Sequence, residues 1–128
     1  MRTDAPLPMP ENRPLTDRET LLVRWLLEHG KPGAADFLPQ LEKAWVVSRC
    51  PCGCASVDFS IQGQRPPPGI GLDVLSDNVW QDAEHRLAGI FVYAIAGILA
   101  GLEVYTLDPD SAIHTLPNIQ SLKPFVSG

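Results

Sequence analysis

Two runs, Leu87 to Ile95 and Ile98 to Leu107, limit what this chain can fold into more than any other feature. Both are rich in β-branched and aromatic residues and contain no proline, which is the composition of strands. Ala96-Gly97 between them suits a two-residue turn, so the pair reads as a β-hairpin. In the first run Ile90, Val92 and Ala94 face one way, and Phe91, Tyr93 and Ile95 the other. In the second, Ile98, Ala100, Leu102 and Val104 oppose Gly101, Glu103 and Tyr105. Apolar residues on both sides of the first run place it at the centre of a sheet, with helices covering one side. The remaining sequence must therefore supply flanking strands and a helical layer.

The helical layer is written near the N-terminus. Thr16-Asp17-Arg18-Glu19 is a capping box, in which the Thr16 hydroxyl accepts from the Glu19 amide and the Glu19 carboxylate reaches back. The helix it opens is expected from Asp17 to about His29, with Leu22, Trp25 and Leu26 at helical spacing and Leu15 as a staple. Gly30 and Pro32 then stop it. Gly33 to Lys43 reads as a second, shorter helix carrying Phe37, Leu38 and Leu41. Ala44 to Arg49 and Val57 to Ile61 are expected strands joined as a hairpin by the cysteine-rich segment between them. Gln62 to Gly71 reads as a proline-rich loop, followed by a short extended piece from Ile70 to Leu75. Ser76 to Glu84 reads as a polar connection, and the tail as irregular chain packing through Leu116, Ile119, Leu122 and Phe125. The expected whole is a flexible proline-rich arm over residues 1–14 and a single α+β domain over 15–128. In that domain two N-terminal helices pack on an antiparallel β-sheet of about four strands.

Charge narrows the classes of function. Residues 1–66 carry eight basic and eight acidic side chains, whereas residues 67–128 carry two basic against seven acidic, giving the net charge of -5. No Lys/Arg cluster is available to replace phosphate counterions, so no nucleic-acid partner is expected. An acidic C-terminal half points instead to a basic protein partner. No run is long and unbroken enough to span a bilayer as a helix, so no membrane partner is expected. The N-terminus lacks the apolar stretch of roughly 7–15 residues that an export signal needs, so a cytoplasmic location is expected. Three cysteines, an odd number, disfavour a structural disulfide framework. Apolar residues on both faces of the sheet are compatible with a monomer or a homodimer.

All three cysteines fall in Cys50-Pro51-Cys52-Gly53-Cys54. Structural zinc usually takes four ligands from two separated knuckles, whereas this is one cluster with single-residue spacings. A metal site on Cys50, Cys52 and Cys54 would need a fourth ligand from His29, His85, His114 or a carboxylate. A redox role needs a thiolate beside a cation or a helix N-terminus, and Arg49 is the only adjacent charge. The plainer reading is a hairpin tip in which cysteine acts as a small, half-buried apolar residue. No nucleophile, base and acid can be assembled from the remaining residues, so an enzyme is not expected. Trp80, set among Asp77, Asn78, Gln81 and Asp82, is the candidate exposed aromatic anchor. Glu103, Asp108 and Asp110 are the acidic candidates beside it.

The order Cys-Pro-Cys-Gly-Cys-Ala-Ser-Val-Asp-Phe, then Leu102-Glu103-Val104-Tyr105, then Leu116-Pro117 and Ser121-Leu122-Lys123-Pro124, resembles a family of small uncharacterised bacterial proteins from Leu15 onward. That resemblance implies no activity. In scale and charge the chain is also similar to bacterial toxin-immunity proteins, which occupy a basic toxin surface. The expected function is therefore a non-enzymatic binding module that holds a basic protein through Trp80, Glu103, Asp108 and Asp110, without a cofactor. The alternative is a zinc-binding or thiol-redox protein built on Cys50, Cys52 and Cys54.

Overall fold

The computed structural model describes residues 9–51, 54–66, 71–107 and 113–124. Among these residues seven strands form one sheet: β1 Met9–Pro14, β2 Ala44–Arg49, β3 Val57–Ile61, β4 Asp73–Gln81, β5 Leu87–Ile95, β6 Ile98–Thr106 and β7 Lys123–Pro124. Their spatial order is β1-β2-β3-β6-β5-β4-β7, and every adjacent pair is antiparallel. Two three-stranded meanders are thus joined where β3 meets β6. That seam is short, with Val57 opposite Leu102 and Asp58 opposite Gly101. The Ser56 hydroxyl extends it, accepting from Val104 N (2.8 Å) and donating to Val104 O (3.1 Å).

This corrects the expectation of two helices on about four strands. The helical layer is one three-turn helix, α1 Asp17–Glu28, followed by a 3₁₀ turn over Ala34–Phe37 and the single-turn α2 Leu38–Leu41. The sheet is larger than expected for two reasons. Residues 9–14, read as flexible arm, pair with β2 as an edge strand, where Pro10 and Pro14 are tolerated. Residues 1–8 of that arm lie outside the described residues. Ser76–Gln81, read as a connection, is most of β4 and pairs with Leu87 to Val92 of β5. At the other edge, β7 adds Lys123 and Pro124 opposite Val79 and Asn78.

Other expectations hold. Thr16 and Glu19 form both bonds of the capping box, Glu19 N to Thr16 Oγ1 at 3.1 Å and Thr16 N to Glu19 Oε1 at 2.8 Å. Leu22, Val23, Leu26 and Leu27 of α1 are fully buried across β4 and β5. β2 and β3 pair on either side of the cysteine segment. Ala96 and Gly97, both at positive φ, make the two-residue turn between β5 and β6. A register shift beside that turn sets Ala94 opposite Leu99, so Leu99 is fully buried. The core lies between α1 and the face of the sheet that carries Val46, Phe59, Ile90, Val92, Leu102 and Val104.

Candidate functional site

Both helices pack on that core face, and among the described residues no helix lies on the opposite face. Strand alternation then decides what the open face shows. On the two central strands the residues are Gly89, Phe91 and Tyr93 of β5 and Gly101, Glu103 and Tyr105 of β6, paired Tyr93–Gly101, Phe91–Glu103 and Gly89–Tyr105. Each tyrosine lies down across a glycine. A Cβ at position 101 would stand 2.7 Å from Tyr93 Oη, and one at 89 only 2.0 Å from Tyr105 Cζ. Only glycine leaves room for these rings.

The tyrosines point in opposite directions from the centre of the sheet. Tyr93 reaches over β6 and donates to Asp58 Oδ1 on β3, while Tyr105 reaches over β5 and donates to Asp77 Oδ1 on β4, both at 3.1 Å. The Ser48 hydroxyl holds the other Asp58 oxygen at 2.6 Å. The arrangement has local two-fold symmetry about the Phe91–Glu103 pair. Phe91 lies between the two tyrosines, with ring centroids 5.7 Å from Tyr93 and 6.0 Å from Tyr105. Three carboxylates, Asp58, Glu103 and Asp77, thus alternate with three aromatic rings on one surface.

Several carboxylates elsewhere among the described residues are ion-paired. Glu11, Glu19, Asp73, Asp82 and Glu84 each pair with an arginine or lysine. No ion pair joins Asp58, Asp77 or Glu103 to a cation among the described residues; Lys123, on the strand beside β4, lies opposite Val79, two residues along from Asp77. Burial raises the Glu103 carboxyl, the nearby Asp58 charge raises it further, and a Ser56 hydrogen bond opposes both. Burial also raises Asp77 against the Tyr105 hydrogen bond. Tyr105 is pushed up to about 12 by burial and by Asp77, and Tyr93 is raised for the same reasons beside Asp58. Both phenols are therefore protonated donors at neutral pH. Trp45, Val74 and Leu87, paired with Ser60, Tyr93 and Gln81 on this face, are 41%, 39% and 43% exposed.

Of the candidate residues read from the sequence, Glu103 stands at the centre of this face. Trp80 does not belong to it. It pairs with Ala88 on the core side and is 6% exposed, so it closes the core instead of standing out as an anchor. Asp108 and Asp110 lie outside the described residues, as does Cys52. Cys50 and Cys54 are half-buried, and among the described residues no three His, Cys, Asp or Glu side chains converge as a metal site requires. His29 caps α1, its ring stacked on Trp25 at 4.3 Å and Nδ1 2.8 Å from Trp25 O. His85 occupies the β4–β5 turn at positive φ. Asp58, Asp77, Phe91, Tyr93 and Tyr105 were not singled out by their sequence setting. Their common signal is outward parity on strands, and it becomes useful only once β3 is known to adjoin β6.

No protein-family model matches the chain, and no curated protein or solved structure is significantly similar to it. Among the described residues no helix is long and apolar enough to cross a membrane.

Proposed function

We propose that the open face of the sheet is a non-enzymatic binding surface for a basic protein partner, received on Glu103 and its aromatic surround. The observation that carries this reading is the set of carboxylates Asp58, Glu103 and Asp77, without a cation partner among the described residues, interleaved with Phe91, Tyr93 and Tyr105. An arginine or lysine laid on this surface gains carboxylate attraction and a ring face together, and partial desolvation strengthens both. Stacking two such faces would bring six carboxylates together, so charge favours a basic partner over a second copy.

The test uses an arginine-rich peptide followed by amide chemical shifts. Shifts should centre on Phe91, Tyr93, Glu103 and Tyr105, weaken with added salt, and shrink in Glu103→Gln and Asp77→Asn. A polyglutamate peptide should leave them unmoved. Binding that ignores salt, or that survives both substitutions unchanged, removes the proposal.

A further inference from the structure

A second surface, of opposite charge, lies at the end of the sheet beneath the start of α1. There a cavity of about 560 Å³ opens between α1, the end of β2, the segment following the cysteines and the tail around Leu116. Its size is that of small-molecule sites, which run from roughly 300 to 1,000 Å³. Its walls are tied together. Ala55 N donates to Ile113 O at 2.9 Å, and Arg18 Nη2 donates to Leu116 O at 3.2 Å and Asn118 Oδ1 at 3.0 Å. The tail is thus fastened both to the cysteine segment and to the helix.

The lining combines an apolar wall, Ala55, Val57 and Leu116, with three arginines in a chain whose net charge is -5. The arginines are not equivalent. Arg13 is consumed within the fold, with both terminal nitrogens on Glu19 at 2.9 and 3.1 Å and Nε on Glu11 at 3.2 Å. Arg18 bonds neutral oxygens, so those bonds leave its charge uncompensated. Arg49 Nε stands 3.5 Å from Glu11 Oε1, and its side chain is 39% exposed. Arg49 is thus shared with Glu11, and the Glu19 that also lines the cavity is taken by Arg13. Among the described residues the cavity therefore offers one cation without a carboxylate partner, Arg18, and one shared cation, Arg49, beside an apolar wall. A free phosphate would meet the cations but not use the wall, and a neutral apolar molecule would do the reverse.

We infer that this cavity binds a small organic carboxylate with an apolar body, the carboxylate held by Arg18 and Arg49 and the body lying on Ala55, Val57 and Leu116. The site is separate from the open face, so either can fail without the other.

Calorimetric titration with octanoate tests it, with octanol and inorganic phosphate as companions. Octanoate should bind with one-to-one stoichiometry, and Arg49→Gln or Arg18→Gln should weaken it about tenfold or more through loss of a charge-assisted bond. Octanol and phosphate should each bind more weakly than octanoate. Asp77→Asn, on the open face and away from the cavity lining, should leave octanoate binding unchanged. The proposal is overturned if octanoate gives no saturable binding at millimolar concentration, or if octanol or phosphate binds as well. It is overturned equally if both arginine variants, with melting midpoints like the parent's, bind octanoate as the parent does.

Discussion

An alanine at position 89 would drive a Cβ into the Tyr105 ring, because nothing separates that ring from the β5 backbone. The ring would have to lift off the sheet and release Asp77. We expect Gly89→Ala to destabilise the fold by about 1–3 kcal/mol, as overpacking does, read from urea unfolding. Tyr105→Ala added to it should recover part of the loss; a double variant weaker than the sum of the singles would mean that the ring is not the obstacle. Glu103 has the opposite relation to stability. Burial raises its carboxyl, so the folded chain holds that proton more tightly than the unfolded chain. Below the ordinary carboxyl range both states are protonated and nothing is lost. As pH rises through that range the unfolded chain ionises first, and stability falls until the folded carboxyl has ionised too. Glu103→Gln should therefore raise the unfolding midpoint at pH 7 and leave it unchanged near about pH 3. An equal gain at both values would assign the effect to packing. A carboxylate kept where ionisation weakens the fold fits a binding role.

At the scale of elements, the seam between β3 and β6 is the least redundant part of the sheet. Its ladder is short, and the buried Ser56 hydroxyl serves both Val104 N and Val104 O. Ser56→Ala leaves the buried Val104 amide without its partner, at a cost of about 1–3 kcal/mol in unfolding free energy; a change under about 0.5 kcal/mol, the range of an ordinary surface substitution, would show that water replaces the hydroxyl. The seam also marks where sequence reading stops. α1 is legible because its capping box, apolar spacing and Gly30 stop are all local. The β5–β6 hairpin is legible because period and turn agree. β4 is hidden because Ser76 and Asn78 occupy its buried face, where they bond each other at 3.4 Å, so its alternation reads as polar chain. β1 is hidden by its prolines. Glu103 could be picked out as an acid on a strand. Its surround of Tyr93, Asp58, Tyr105 and Asp77 could not, because it depends on β3 lying beside β6, strands far apart in the chain.

At the scale of the whole molecule, charge is divided between two places. The open face gathers carboxylates that no cation pairs among the described residues, and the cavity under α1 gathers arginines, so the net charge conceals a polar distribution; under the two proposals above it would hold two ligands of opposite sign. The strand order has a further consequence at its margins. A seven-stranded open sheet has two rows of unpaired backbone groups that could recruit another chain. Among the described residues the outermost strands are β1, with Pro10, Pro14 and a register shift, and β7, with Lys123 and Pro124. Proline removes a donor, and lysine resists strand addition. Deleting residues 1–14 would uncover β2, Ala-Trp-Val-Val-Ser-Arg, a short β-branched and aromatic segment of the kind that seeds cross-β stacking. Light scattering of that truncated chain should rise with time and concentration while the full chain stays clear; a truncated chain that remains monomeric would show that β2 is protected by other means. Within the described residues, β1 over 9–14 is thus the element that covers β2 at this margin of the sheet.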